Sequence, residues 1–141
     1  MPRTAAFVDA VAVHDDGPAE QHMRLTPEGT RGTFEIALDW LNGPDRPSAV
    51  LCYTGYQAVA LRLAAARTGV EVPGELEIIA IGDVPAEAEL LGPISYYGVD
   101  DVFARLSALV VDRALECGDR PGRLHRFDWE FFPGATTCDE T

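Results

Sequence analysis

The 141-residue sequence contains no lysine. Its 11 basic residues are therefore all arginines, spread from Arg3 to Arg126 rather than gathered. Set against 23 acidic side chains and a net charge of −12, they form no cationic cluster able to grip a phosphate backbone unaided. Long apolar runs are missing too. No stretch approaches the ~20 residues that a membrane span requires, and the N-terminus lacks the basic-then-apolar pattern of an export signal. Cys52, Cys117 and Cys138 are odd in number and far apart, which indicates neither a disulfide framework nor a zinc site. A reducing cytoplasm is the expected compartment. His14, His22 and His125 show no metal-binding spacing. There is no G-x-S-x-G elbow, no Walker glycine loop, no internal repeat and no low-complexity linker. Neither cofactor nor metal is expected.

What the sequence does have is concentrated between Pro47 and Pro85. Ala49–Tyr53 is a short apolar run, Tyr56–Arg67 is rich in the helix formers Ala and Leu, and Leu76–Ile81 is a second apolar run. A helix between two near-continuous apolar runs predicts a βαβ crossover in a parallel sheet covered on both faces. Chemistry in such a sheet sits at the carboxyl ends of its strands. Here these are Tyr53-Thr54-Gly55 and Ile81-Gly82-Asp83-Val84-Pro85. Cys52, inside an apolar strand, reads as a buried inert thiol rather than a nucleophile.

This stretch resembles the effector-binding domain of lac-repressor-like (LacI/GalR family) transcription regulators. Pro47-Ser48-Ala49 stands where that family has P-T-A, and Gly69-Val70-Glu71-Val72-Pro73 follows the helix as G-(L/V)-x-V-P does. Leu76–Asp83 then keeps the family's frame without a gap. Thr54-Gly55 replaces the usual Asn-Asp, and Gly82 replaces the first acid of a D-D pair whose second acid matches Asp83.

The rest of the chain fits the same family. Thr4–His14 is a predicted helix, with Arg3 at the arginine of an R-x-x-G-F motif. Asp15–Pro18 is a turn and His22–Leu25 a short strand. Thr26-Pro27-Glu28 reads as a helix start, with Phe34, Ala37, Leu38 and Leu41 as its stripe and Gly43-Pro44 as its stop. After two helical turns at most over Ala86–Leu91 come a strand at Ile94–Tyr97 and an amphipathic helix over Val99–Glu116, stopped by Gly118. Arg126–Phe132 is the last strand, followed by a segment that resembles the family's closing S-T motif.

The fold expected is α/β: a parallel-sheet three-layer sandwich, one lobe of a periplasmic-binding-protein-like fold, with residues 1–141 as a single effector-binding and dimerisation lobe. The resemblance implies a cytoplasmic transcription regulator whose helix-turn-helix and first lobe lie outside this sequence. DNA would be reached only through that absent domain, and no membrane is involved. The effector would be a small molecule of sugar or nucleoside type, contacted by Arg3, Tyr53, Thr54 and Asp83. Read from the residues alone, Thr54 equally caps the following helix, Asp83 orients its loop, and Arg3 is a solvated terminal arginine. The predicted helix over Tyr56–Arg67 has two apolar faces: Ala58, Leu61 and Ala65, and Val59, Leu63 and Ala66, with Arg62 between them. One face covers the sheet. The other, together with Leu90, is the expected interface of a homodimer. The stripe of Val102, Phe103, Leu106 and Val110 is expected to fold back over the sheet or onto a partner chain. A flavodoxin-like or other small doubly wound enzyme domain is the alternative, and a transport solute-binding protein a third reading.

Overall fold

The computed structural model describes residues 2–14, 18–26, 29–116 and 122–138. Its element order is α1 (Pro2–His14), a 3-10 helix (Ala19–His22), α2 (Thr30–Asn42), β1 (Ala49–Cys52), α3 (Gly55–Thr68), β2 (Glu77–Ile81), a second 3-10 helix (Ala86–Leu91), β3 (Ser95–Gly98), α4 (Val102–Leu115) and β4 (Glu130–Phe132). The turn at Asp15–Gly17, the Pro27-Glu28 pair and the stop at Gly118 lie outside the described residues.

The four strands form one sheet in the order β1-β2-β3-β4. The first two pairings are parallel and put Cys52 beside Ala80 and Ile81 beside Tyr97. The sheet is thus mostly parallel, as expected of the α/β sandwich, and the fourth strand is its exception. It runs antiparallel to β3, with Tyr97 opposite Phe131. It is also shorter than expected, since 126–129 has left the ladder.

Alternation along the strands splits the sheet into two faces. On one, Cys52, Ile78 and Ala80 are buried with Ala58, Leu61 and Ala65 of α3 and with Ala37 and Leu41 of α2. Phe34 and Leu38 pack against that core, so the stripe expected of α2 is the one used. The helix begins later than expected, at Thr30 after Gly29, where the Thr33 hydroxyl donates to the Gly29 carbonyl at 3.2 Å. The segment expected as a strand at His22–Leu25 is instead the end of a 3-10 helix followed by irregular chain. The pairing that a strand needs is absent there, because β1 is the sheet's edge.

The opposite sheet face carries Leu51 at 47% exposure and Tyr97 at 45%. Here the expected packing of the last long helix fails: α4 buries none of its residues. Phe103 and Val110 are each 67% exposed. Burying such a side chain stabilises a fold by roughly 1.5–3 kcal/mol, and that contribution is forgone within this chain. Asp101 at its start takes a left-handed φ of 47° and makes no side-chain cap bond, while the Arg105 guanidinium lies over the Phe127 ring at 4.6 Å.

The closing segment is pinned between β2 and β3. Thr136 Oγ1 donates to the Ile78 carbonyl at 2.6 Å and accepts from the Ser95 N–H at 2.9 Å. The Ile78 N–H donates to the Thr136 carbonyl at 2.8 Å, and Ser95 Oγ accepts from the Gly134 N–H at 2.9 Å. Thr136 and Ser95 are both fully buried. Replacing Thr136 by Val keeps the shape but strands a buried amide and weakens a carbonyl's bonding, at a cost of about 2–4 kcal/mol. Phe103→Ser on the solvated α4 should stay within about 0.5 kcal/mol of wild type. Urea denaturation measures both, and equal costs would contradict this assignment of the core.

Candidate functional site

The carboxyl ends of β1 and β2 lie side by side because the strands are parallel and in register. The chain leaves β1 through Tyr53-Thr54 and enters α3 at once. Thr54 caps that helix through a complete capping box. Its Oγ1 accepts from the Gln57 N–H at 3.3 Å, and Gln57 Oε1 accepts from the Thr54 N–H at 3.1 Å. Gln57 reaches further, donating from Nε2 to Thr26 Oγ1 at 2.9 Å. Of the two readings of Thr54, capping is therefore present, and a lone pair of its hydroxyl is spent on it.

Gly55 is fixed by close approach. A Cβ there would overlap the Asp83 carbonyl oxygen and stand 2.6 Å from Val84 Cα and 2.9 Å from Pro85 Cδ. The loop after β2 thus rests on the first turn of α3, leaving no room at position 55 for an acid. Gly82 is glycine for a different reason. Its φ of 88° lies in the left-handed region, where side chains are strained, while its N–H donates to the Tyr97 carbonyl at 2.7 Å. Glycine at both positions therefore suits the backbone path.

Asp83 is exposed beside this junction. Its charge reaches Tyr96, whose phenol is held above its ordinary value by burial first, then by the carboxylates of Asp83 and Asp100. Tyr96 stacks on Phe132 with ring centroids 4.7 Å apart. In β1, Cys52 is buried and desolvation pushes its thiol up to about 12. It stays neutral in the native chain, which suits the inert reading. Because the folded value is the higher one, any stability linked to this thiol is complete below its ordinary value of 9.0 and is lost as pH rises towards about 12.

A groove of about 1710 Å³ runs beside β1, between α1 and α2. Tyr53, Thr54, Tyr56, Gln57 and Thr26 line it together with Phe7 and Val11 of α1, Trp40 of α2 and Leu51 of β1. Of the predicted effector residues, Tyr53 and Thr54 share this groove, whereas Asp83 is not among its lining. Arg3 stands in the first turns of α1, and its side chain lies outside the described residues. The sequence alone does not point to Gln57, Thr26 or Phe7 as site residues, and it presents Thr26 as a helix cap. The T-x-x-Q spacing of a capping box would have pointed to Gln57. Among the described residues, no three His, Cys, Asp or Glu side chains gather as a metal site would need, and no helix is long and apolar enough to cross a membrane.

The predicted interface residues lie on α3 and the second 3-10 helix. Val59 and Arg62 are half-buried, Ala66 is exposed, Leu63 is 39% exposed and Leu90 is 89% exposed. Arg62 Nη1 is buried without a hydrogen-bond partner, and burial lowers the guanidinium's pKa.

The profile of the periplasmic binding protein-like domain matches residues 2–126. No curated protein matches the chain by sequence. Among solved structures, the chain is similar to a LacI family transcriptional regulator from Bifidobacterium animalis at 25% identity and a TM-score of 0.67, covering 96% of this chain and 49% of that one. A LacI family regulator from Lactobacillus casei with bound sucrose gives 15% identity and a TM-score of 0.75, covering 96% and 50%. A sugar-binding LacI family regulator from Escherichia coli complexed with phosphate gives 20% and 0.70, covering 95% and 48%. The chain spans about half the length of these structures.

The junction between the loop after β2 and α3 can be tested by Gly55→Ala. On an open helix the change would gain up to ~1 kcal/mol. Against the Asp83–Pro85 backbone, overpacking is expected to reverse the sign and cost about 1–3 kcal/mol. A variant as stable as wild type in urea would mean that the loop stands clear of α3.

Proposed function

The chain belongs to the periplasmic binding protein-like domain family, and from that premise we propose that it is the effector-binding and dimerisation lobe of a LacI-type transcription regulator. A small molecule of sugar or nucleoside type binds at the carboxyl ends of the strands, contacted by Tyr53 and Thr54 on the groove and by Arg3 and Asp83. DNA is bound by a helix-turn-helix domain that residues 1–141 do not contain. Effector binding shifts the balance between open and closed lobe arrangements, and so the presentation of the DNA-reading domains. The protein works in the cytoplasm as a homodimer, and its role is recognition rather than catalysis.

The observation that carries this reading is the likeness of nearly the whole chain to one half of LacI-family regulators. The open groove supports it as well, since Tyr53 and Tyr56 offer exposed aromatic surface there. The solvated stripe of α4 and the uncovered sheet face suit a lobe that meets a second lobe. The exposed second face of α3, with Leu63 and Ala66, suits packing against its own copy across a two-fold axis.

Two measurements test this. One follows the melting temperature of the chain against sugars and nucleosides. With only one wall of the cleft present, millimolar responses are expected. Silence across both classes would count against the effector role, and micromolar binding would show that one wall suffices. The other is sedimentation of wild type and Leu63→Arg. Wild type should run as a dimer and the variant as a folded monomer, whereas a wild type already monomeric at high micromolar concentration would remove the dimer.

A further inference from the structure

The outer edge of β1 is unfinished. β1 ends the sheet, and among the described residues its main chain pairs with β2 alone. Its far side therefore presents a row of N–H and C=O groups with no protein partner, the template on which another strand pairs. The groove of about 1710 Å³ follows that row, since Ala49, Val50, Leu51 and Cys52 all line it. Met23, Arg24 and Leu25 line it too, yet they are irregular chain and join no strand. Leu25 is 87% exposed. Among the described residues α1 packs closely only on the 3-10 helix that follows it, and its Phe7 and Val11 are half-buried on the groove. An N-terminal layer thus stands off the sheet across a gap bordered by free main chain.

The chemistry of the gap selects its occupant. A row of alternating donors and acceptors at the repeat of a strand is matched along its length only by another strand. The side-chain walls are apolar, with Phe7 and Val11 from α1, and Ile36, Ala37 and Trp40 from α2. A strand covered on both faces is a near-continuous apolar run. Thr4, in the first turns of α1, also lines the groove, so a strand entering α1 needs only an ordinary loop of about two to six residues. We propose that the groove seats a further apolar β-strand, contributed by the polypeptide that runs into α1 from the first lobe of the intact regulator. It pairs with β1 and gives Met23–Leu25 a ladder to join. The seat rests on the edge and the groove, whereas its source rests on the effector-lobe reading. Tyr53 and Thr54, beyond the carboxyl end of β1, stay available to the effector.

Two N-terminal extensions of the 141-residue chain test this, each joined to Met1 through Gly-Asn. One carries Val-Ala-Val-Ile-Val. The other carries Val-Pro-Val-Pro-Val, whose prolines break the row of N–H donors. The readout is amide exchange over Ala49–Cys52, together with the amide resonances of Met23–Leu25. The first extension is expected to slow the unpaired β1 amides at least tenfold and to shift Met23–Leu25, with β2 as protected as before. The proline extension should do neither. Free Val-Ala-Val-Ile-Val at the protein's own concentration should do neither as well, because tethering supplies an effective concentration of about millimolar. No protection from the first extension, or equal protection from both, would overturn the seat. So would a first extension that sediments as a larger species than the unextended chain, since its strand would then pair between molecules. Equal protection by the free peptide would overturn the tethered source. All of this is read without an effector, so its failure stands apart from that of the sugar and nucleoside titration.

Discussion

The fold depends on how tightly β2 is held. It pairs with β1 on one side and β3 on the other, and its Ile78 exchanges bonds with Thr136 through both main chain and side chain. Ile78 and Ala80 are completely buried under α3. A strand fixed in this way delivers Gly82–Pro85 to one place, and α3 must start against that loop. The requirement for glycine at position 55, and with it the shape of the candidate site, follows from the seating of β2.

Burial is one-sided around that strand. Small residues let α3 lie close to the sheet, since Ala58, Ala64 and Ala65 are all fully buried in the core with Ile78 and Ala80. Among the described residues nothing equivalent covers Leu51, Tyr97 and Phe131 on the other face, all of which stay exposed. Solvated apolar surface on both the sheet and α4 is the mark of a surface that meets something else. Under the effector-lobe reading proposed above that something is the second lobe, and the groove beside β1 lies open on the same molecule.

The sequence made the central βαβ unit legible because its apolar runs, its helix formers and its Gly69 stop all agree. The two-faced character of α3 was equally readable, as was the burial of Cys52. Other features depend on partners far away in the chain. β4 turns antiparallel, a direction that its own three residues cannot encode. His22–Leu25 has strand-like residues but no ladder to join. The reasons for Gly55 and Gly82 lie in neighbouring backbone and in φ, which spacing does not reveal. Thr26 looked like a helix cap, yet its hydroxyl serves Gln57, which lies 31 residues later. α4 was expected to bury its stripe because exposure is costly, and within this chain the stripe remains exposed.

Amide hydrogen exchange on the 141-residue chain tests the central claim most directly, namely that this is a lobe with one finished side and one side awaiting a partner. Amides of β2 and α3 should exchange only with global unfolding, while those of α4 over Val102–Leu115 should exchange by local opening orders of magnitude faster. Protection of α4 equal to that of β2 would contradict it, because the helix would then be packed within the chain and no second lobe would be called for.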